Sequence, residues 1–203
     1  MTQTKPAVGA GRPRDDRVDE RALAATREVY AERGWFGTSY DEIAKRAGVG
    51  KSSLYLRWAT KAELIVAALG DSTYIESIDT GTLRGDLLEL ASRFLDRQWT
   101  QDGAATFRFE SERRYVEELR EASAEVKYND SVRAARRIVR RGIARGEVPA
   151  GTSPTMINDL IIGAIMTHVM VTPQRLTAAV KSRSAAYIVD LVDTVVAGVA
   201  AKR

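Results

Sequence analysis

The chain has 203 residues, 44% of them hydrophobic, a net charge of +4, no cysteine and a single histidine. A chain of that length can bury a sizeable core. The missing cysteine excludes disulfides and thiolate metal sites and suits a reducing cytoplasm. The charge is unevenly spread. Residues 1–61 hold 12 Lys/Arg against 8 Asp/Glu, whereas residues 62–203 hold 19 of each. A basic end on a neutral body is the footprint of a protein that meets phosphate at one end.

Residues 1–16 contain Pro6, Gly9, Gly11 and Pro13 and almost nothing to bury, which predicts a flexible basic arm. Arg12 and Arg14 on that arm can reach a minor groove, and the plainer alternative is a solvated tail. The first residues lack the apolar run of a signal peptide, in keeping with a cytoplasmic protein. Leu23, Ala24, Val29 and Tyr30 recur at helical spacing from about Arg17 to Arg33, and Gly34 is expected to end that helix. Trp35 and Phe36 are expected in the core. Thr38 stands where its hydroxyl and nearby amides can hold a phosphate.

Ser39 and Glu42 make a capping box for the next helix, whose apolar side is Ile43, Ala44 and Ala47. Gly48 follows as a left-handed C-cap, and Val49 plugs the corner. A second helix of about nine residues runs from near Gly50 through Trp58, with Lys51, Ser52, Ser53, Tyr55 and Arg57 grouped on it. Small, polar and basic side chains at the front of a short helix suit entry into a DNA major groove. Thr60 and Glu63 then form a second capping box that puts Lys61 in the first turn of the following helix. The pattern is a helix-turn-helix. Lys51, Ser52 and Ser53 are the candidates for base edges. Thr38, Ser39, Tyr55, Arg57 and Lys61 are the candidates for the phosphate side of the interface.

The residues Glu32-Arg33-Gly34-Trp35, Thr38 to Ala44, Ala47-Gly48-Val49, Leu54-Tyr55, Trp58 and Lys61 to Leu64 resemble the N-terminal signature of TetR-type transcriptional regulators, over about Asp19 to Leu69. The match departs at Gly50, where the family more often has serine, and at Trp58, where phenylalanine is commoner. The resemblance implies a homodimer, an operator DNA partner and a helical body with a cavity for a small-molecule effector.

Beyond the motif, a helix with Leu64, Ile65, Ala68 and Leu69 as its buried stripe is expected from Ala62 to about Ile78. It would serve as the lever between the DNA module and the body. Another follows from Leu83 to about Thr100, then a turn at Gln101-Asp102-Gly103 and one or two helices holding Phe107, Phe109, Tyr115, Val116 and Leu119. The long helix expected from about Ala124 to Arg145 carries Arg133, Arg136, Arg137, Arg140, Arg141 and Arg145. Interleaved apolar residues read it as a wet amphipathic face, with several arginines paired to Glu117, Glu118, Glu121 or Glu125. Ser153-Pro154 opens a helix to Val171 that is apolar nearly all round, and the last helix runs from about Ser182 to Ala201.

Those two helices have more apolar circumference than one small body needs, which predicts a homodimer through Ile161, Ile165, Ile188, Leu191, Val195 and Gly198. The ligand candidates are Phe94, Trp99, Phe107, Tyr115, Met166 and Met170, with Thr167 or His168 as polar handles, each of which also fits plain core packing. No catalytic set, metal set or cofactor loop emerges, since with one histidine and no cysteine a zinc site would need carboxylates alone to complete it. The fold class is therefore all-α, about nine helices, with residues 17–61 as the DNA-binding domain and residues 62–203 as the ligand-binding and dimerisation domain. The expected function is sequence-specific DNA binding by a repressor that a small apolar or amphipathic ligand releases. The alternative is a helical ligand- or protein-binding module, or an activator, for which such release is not the main activity.

Overall fold

The computed structural model describes residues 16–70, 78–124 and 130–200. Eleven α-helices make up the fold, with one 3-10 turn and no strand among the described residues. They are α1 (Asp16–Gly37), α2 (Tyr40–Ala47), α3 (Lys51–Tyr55), α4 (Lys61–Leu69), α5 (Leu83–Gln98), α6 (Gln101–Glu112), α7 (Glu117–Ala124), α8 (Asp130–Ala144), α9 (Pro154–Val171), α10 (Thr177–Lys181) and α11 (Ser184–Ala200). The excess over nine comes from α10, too brief for periodicity to announce, and from α6 and α7, where the sequence allowed one helix or two.

Three clusters of buried side chains organise the packing. Ala22, Val29, Ile43, Leu54 and Leu64 bind α1 to α4 into one unit. Tyr30, Ile65, Leu69, Phe109 and Leu119 join α1 and α4 to α6 and α7. Leu87, Leu90, Ile138, Ile161, Ile165 and Val192 form the core of α5, α8, α9 and α11. The middle cluster is the joint of the fold, because α1 and α4 belong to the helix-turn-helix end while α6 and α7 belong to the body.

Local chemistry explains most helix ends. Thr60, Thr82, Thr100 and Ser153 each accept the amide three residues on, the N-cap bond that satisfies an otherwise orphaned donor. The cap at Thr100 corrects the turn expected at Gln101-Asp102-Gly103, which is instead the first turn of α6. A Cβ at Gly103 would lie 2.3 Å from the Arg97 carbonyl, so glycine lets α6 start tight against the end of α5. Helix α4 closes at Gly70 rather than running to Ile78, and residues 71–77 lie outside the described ones. The expected start of α8 near Ala124 is likewise replaced by the end of α7, and residues 125–129 lie outside the description.

As expected, helix α1 breaks at Gly34. It kinks there, at φ 64° and ψ −168°, a backbone conformation open essentially to glycine alone, and continues to Gly37. The kink turns Phe36 out into solvent, 93% exposed, which corrects its placement in the core. Trp35 stays partly buried against the middle cluster.

Candidate nucleic-acid interface

Helix α2 is held by Ser39, whose hydroxyl oxygen accepts the Glu42 amide at 3.3 Å. It ends at Gly48, whose φ of 64° is the left-handed C-cap that a Cβ would penalise. Helix α3 is only five residues long, Lys51 to Tyr55, so the expected nine-residue helix is a single helical turn and a half followed by a turn at Leu56-Arg57. Such a short helix has little stability of its own, and its position is fixed by tertiary contacts. Leu54 is fully buried beneath it. The Tyr55 ring lies 4.2 Å from that of Tyr40, whose hydroxyl donates to the Trp58 carbonyl at 2.8 Å. Burial, with the nearby Tyr55 and Glu63, pushes the Tyr40 hydroxyl up to about 12, so it stays a donor at any physiological pH.

The exposed side of this corner carries Lys51 and Ser52, with Ser53 half-buried and Tyr55 half-exposed. Lys51 donates to Asp41 on α2 at 2.7 Å, an exposed pair that raises the lysine pKa and aims its ammonium across the corner. Leu56, 85% exposed beside them, is a side chain that sequence reading passed over, since nothing in its type distinguishes it from a core leucine.

Two expected phosphate contacts are spent on the fold. Thr38 is buried and its hydroxyl donates to the Gly34 carbonyl at 2.7 Å, so it braces the kink instead of facing outward. Arg57 is paired with Asp19 of α1 and donates to the Ser53 carbonyl at 3.0 Å, which ties the end of α3 back to α1. Lys61 occupies a middle position. Its ammonium donates to the Trp35 carbonyl at 2.8 Å and sits 3.9 Å from the Trp35 ring centroid, a cation–π arrangement. Burial lowers its pKa, while Glu118 and Glu112 act in the opposite sense. Arg12 and Arg14 lie outside the described residues.

The Trp35 peptide is gripped from both sides. Its N–H, freed from α1 by the kink, donates to Glu112 of α6 at 2.9 Å, and the same carboxylate accepts the Tyr30 hydroxyl at 2.8 Å. Arg27 adds a second tie across the joint, pairing with Asp102 at 3.0 Å and donating to the Ala68 carbonyl at 3.0 Å. The DNA-facing corner is thus fastened to the body through α6.

In the body, the ligand candidates do not gather around one cavity. Tyr115 is 88% exposed and Phe107, Thr167 and Met170 are also exposed, which removes them from a buried pocket. Their helices are amphipathic or apolar all round, so periodicity could not choose the inner side. Phe94 and Trp99 pack against the C-terminal core, and Met166 is partly buried. The Trp99 indole Nε1 is buried with no acceptor among the described residues. His168 stacks on Tyr187 with ring centroids 4.0 Å apart, beside a cleft of about 610 Å³ that Leu176, Val180, Arg183 and Asp190 also line.

The dimer candidates divide the same way. Ile161, Ile165, Ile188 and Val195 are buried in the chain's own core, and Leu191 is partly so, leaving Gly198 exposed. The outward stripe of α9 is instead Met156, Leu160, Gly163, Thr167 and Met170. A second cleft of about 610 Å³ opens between α9 and α11, lined by Met156, Leu160, Thr194, Gly198 and Val199 among others.

Comparison with known proteins gives two family matches along the chain. Residues 22–68 match bacterial regulatory proteins of the tetR family, and residues 77–195 match the tetracyclin repressor-like C-terminal domain. The HTH-type transcriptional regulator AqdR of Rhodococcus erythropolis is 31% identical over 174 residues, covering 85% of this chain and 83% of that one. The HTH-type transcriptional activator FasR of Mycolicibacterium smegmatis is 42% identical over 71 residues, 33% of this chain and 32% of its own. Among solved structures, the transcriptional regulator FadR of Bacillus subtilis in complex with stearoyl-CoA superposes with a TM-score of 0.66 at 21% identity, covering 89% of this chain and 97% of that one.

Proposed function

The chain belongs to the TetR family of DNA-binding transcriptional regulators, and from that premise we propose that it is a homodimeric repressor released from its operator by a small amphipathic ligand. The observation that carries this reading is the pre-assembled corner of α2 and α3. The Gly48 cap, the Tyr40–Tyr55 contact and the Arg57–Asp19 pair hold α3 in place, with Lys51 and Ser52 exposed on its outer side. A ligand that binds better to a state in which the two corners of a dimer are differently spaced would shift the population away from the DNA-bound form.

Within that reading, Lys51, Ser52 and Ser53 read base edges, and Ser39, Tyr55 and Lys61 hold phosphates, with Arg12 and Arg14 extending into the minor groove. Two recognition helices would sit about 34–36 Å apart on a near-palindrome. The outward stripe of α9, from Met156 to Met170, together with the exposed Gly198 of α11, supplies the two-fold contact. A protein that acts on chromosomal DNA would work in the cytoplasm. In a titration of operator DNA, raising salt from 50 to 200 mM should weaken binding by about 10³-fold or more if roughly six phosphates are held across the dimer. Ser52→Ala should change base preference at one position of each half-site, whereas Lys61→Ala should weaken all sequences alike. A salt-insensitive affinity would sink the operator reading.

The effector is proposed to lodge against Phe94, Trp99 and Met166. What supports this is the Trp99 Nε1, a buried donor with no acceptor among the described residues, whose ring faces the Lys181 ammonium at 5.5 Å. An apolar ligand with an acidic or carbonyl head would satisfy both. The likeness to the stearoyl-CoA-bound FadR is one of fold and adds no residue-level support. Trp99→Phe keeps the apolar volume and removes the donor. The effector concentration needed to release operator should then rise roughly tenfold, in line with about 1.4 kcal/mol for one lost hydrogen bond, while operator affinity without effector stays unchanged.

A further inference from the structure

The arginine-rich helix α8 packs its stripe Ala134, Ala135, Ile138 and Val139 into the body core. At its C-terminal end the charges are matched: Arg141 meets Asp86 at 3.0 Å, and Arg145 meets Glu147 at 2.5 Å. Neither pairs with the α7 glutamates expected from sequence. Arg136, Arg137 and Arg140 have no acid partner among the described residues. Elsewhere the chain tends to match clustered charge, as at Arg46 with Glu32, Arg84 with Asp193 and Arg113 with Glu110. Arg114, Arg175 and Arg183 also lack an ion pair among the described residues, but they stand singly on three separate turns.

Arg136 adds a second observation. Its Nε, like that of Arg141, is buried with no acceptor among the described residues, although a guanidinium donor removed from water normally has one. Unlike Arg141, Arg136 has no carboxylate among those residues on its other nitrogens either. Arg136 and Arg140 lie one helical turn apart on one face, about 6 Å along the axis, with Arg137 beside them. Three like charges so close repel one another until a counter-charge arrives. A single carboxylate can satisfy one fork, whereas linked phosphates present several oxygens that accept forked N–H pairs side by side.

We propose that Arg136, Arg137 and Arg140 form a binding ridge for a small molecule that carries linked phosphate groups, separate from the operator-reading corner. The ridge does not depend on the repressor reading or on the Trp99 site, since neither uses α8. The shared chemistry is the phosphate pair, whether borne by a soluble nucleotide-type compound or by a phospholipid headgroup.

The full-length protein should be titrated with pyrophosphate and with ADP by calorimetry, with sulfate at equal ionic strength as control. It should also be tested for co-sedimentation with phosphatidylcholine vesicles, with and without phosphatidic acid. The double variant R137A/R140A changes two exposed side chains and should fold normally, and R136K keeps the charge while losing the fork. Pyrophosphate or ADP binding that weakens at least tenfold in R137A/R140A and several-fold in R136K, with operator affinity within twofold of the parent, supports the ridge and a soluble ligand. Arginine-dependent binding confined to phosphatidic acid vesicles supports the ridge and assigns the headgroup. The proposal is overturned if pyrophosphate, ADP and vesicles all fail to bind, if sulfate binds equally, or if the variants bind as the parent does. Loss of operator or non-specific DNA binding in R137A/R140A, without any phosphate-compound binding, also overturns it and makes α8 a nucleic-acid surface.

Discussion

Gly34→Ala should lower the stability of the folded chain by about 2–4 kcal/mol and weaken operator binding at least tenfold. Two costs combine at this position. A backbone at φ 64° and ψ −168° is strained for any residue with a Cβ. That Cβ would also lie 2.4 Å from Glu112 Oε1 and 2.7 Å from the Arg108 Nη1. Arg108 can swing away, being the tip of a flexible side chain. Glu112 cannot do so freely, because the Tyr30 hydroxyl and the Trp35 amide both donate to it. Relief must therefore come from the backbone, and the Gly34 and Trp35 carbonyls would move with it. The first holds Thr38 at the entrance to α2, and the second holds Lys61 at the start of α4. Urea denaturation and an operator titration on the same sample test the pair of effects. An alanine variant as stable as the parent would show that the kink is not required. A destabilised variant with unchanged DNA affinity would show that the joint does not reach the DNA-facing corner.

Asp86→Ala should be the costliest change in the body, at about 3–5 kcal/mol, or a fall in Tm of roughly 10 °C. The side chain is fully buried at the start of α5. It accepts the Thr80 amide at 2.6 Å, the Thr80 hydroxyl at 2.9 Å and Arg141 at 3.0 Å, with Arg145 at 3.6 Å. Arg141 also donates to the Ile78 carbonyl at 2.5 Å, so the cluster anchors the segment that enters α5. Removing the carboxylate leaves the Arg141 charge in a half-buried site without its nearest counter-charge. Burial alone would raise the Asp86 pKa, but the Thr80 and Arg141 donors together outweigh it and hold the group below its ordinary 3.8. A carboxylate depressed in the folded state stabilises above its unfolded pKa and loses that contribution as pH falls through the folded value. The parent should therefore lose stability below about pH 4, and Asp86→Asn should lack this part of the slope while starting from a lower plateau. Thermal melts of both proteins between pH 2.5 and 7 decide the matter, and parallel curves would dismiss the cluster as a stabilising device.

Local signals were legible in the chain, and signals that depend on which side of a helix faces inward were not. Thr60 with Glu63, Ser153 with Pro154 and the Gly48 corner all sit where their residue types place them, because each cap is decided within four or five residues. The uncommitted sides of the long helices are another matter. Helix α9 is apolar on every side, so sequence could not tell that Ile161 and Ile165 face its own core while Met156 and Leu160 face out. Arg57 and Thr38 look like phosphate ligands by type and register. Their partners, Asp19 and the Gly34 carbonyl, come from packing and a backbone kink that no short motif encodes. The arginines of α8 show the same limit in reverse. Their acids were sought on the neighbouring α7, and the chain supplied them from α5 and the loop after α8.

If the chain is the ligand-released repressor proposed above, the double grip on the Trp35 peptide makes operator and inducer rivals even though they need never touch. A phosphate that draws Lys61 away from the Trp35 carbonyl loosens one hand of that grip, and a rearranged α6 loosens the other. Whatever factor the inducer takes from DNA affinity, DNA must take from inducer affinity. Protein seated on its promoter should then call for a higher inducer dose than protein free in solution, giving the promoter a built-in threshold.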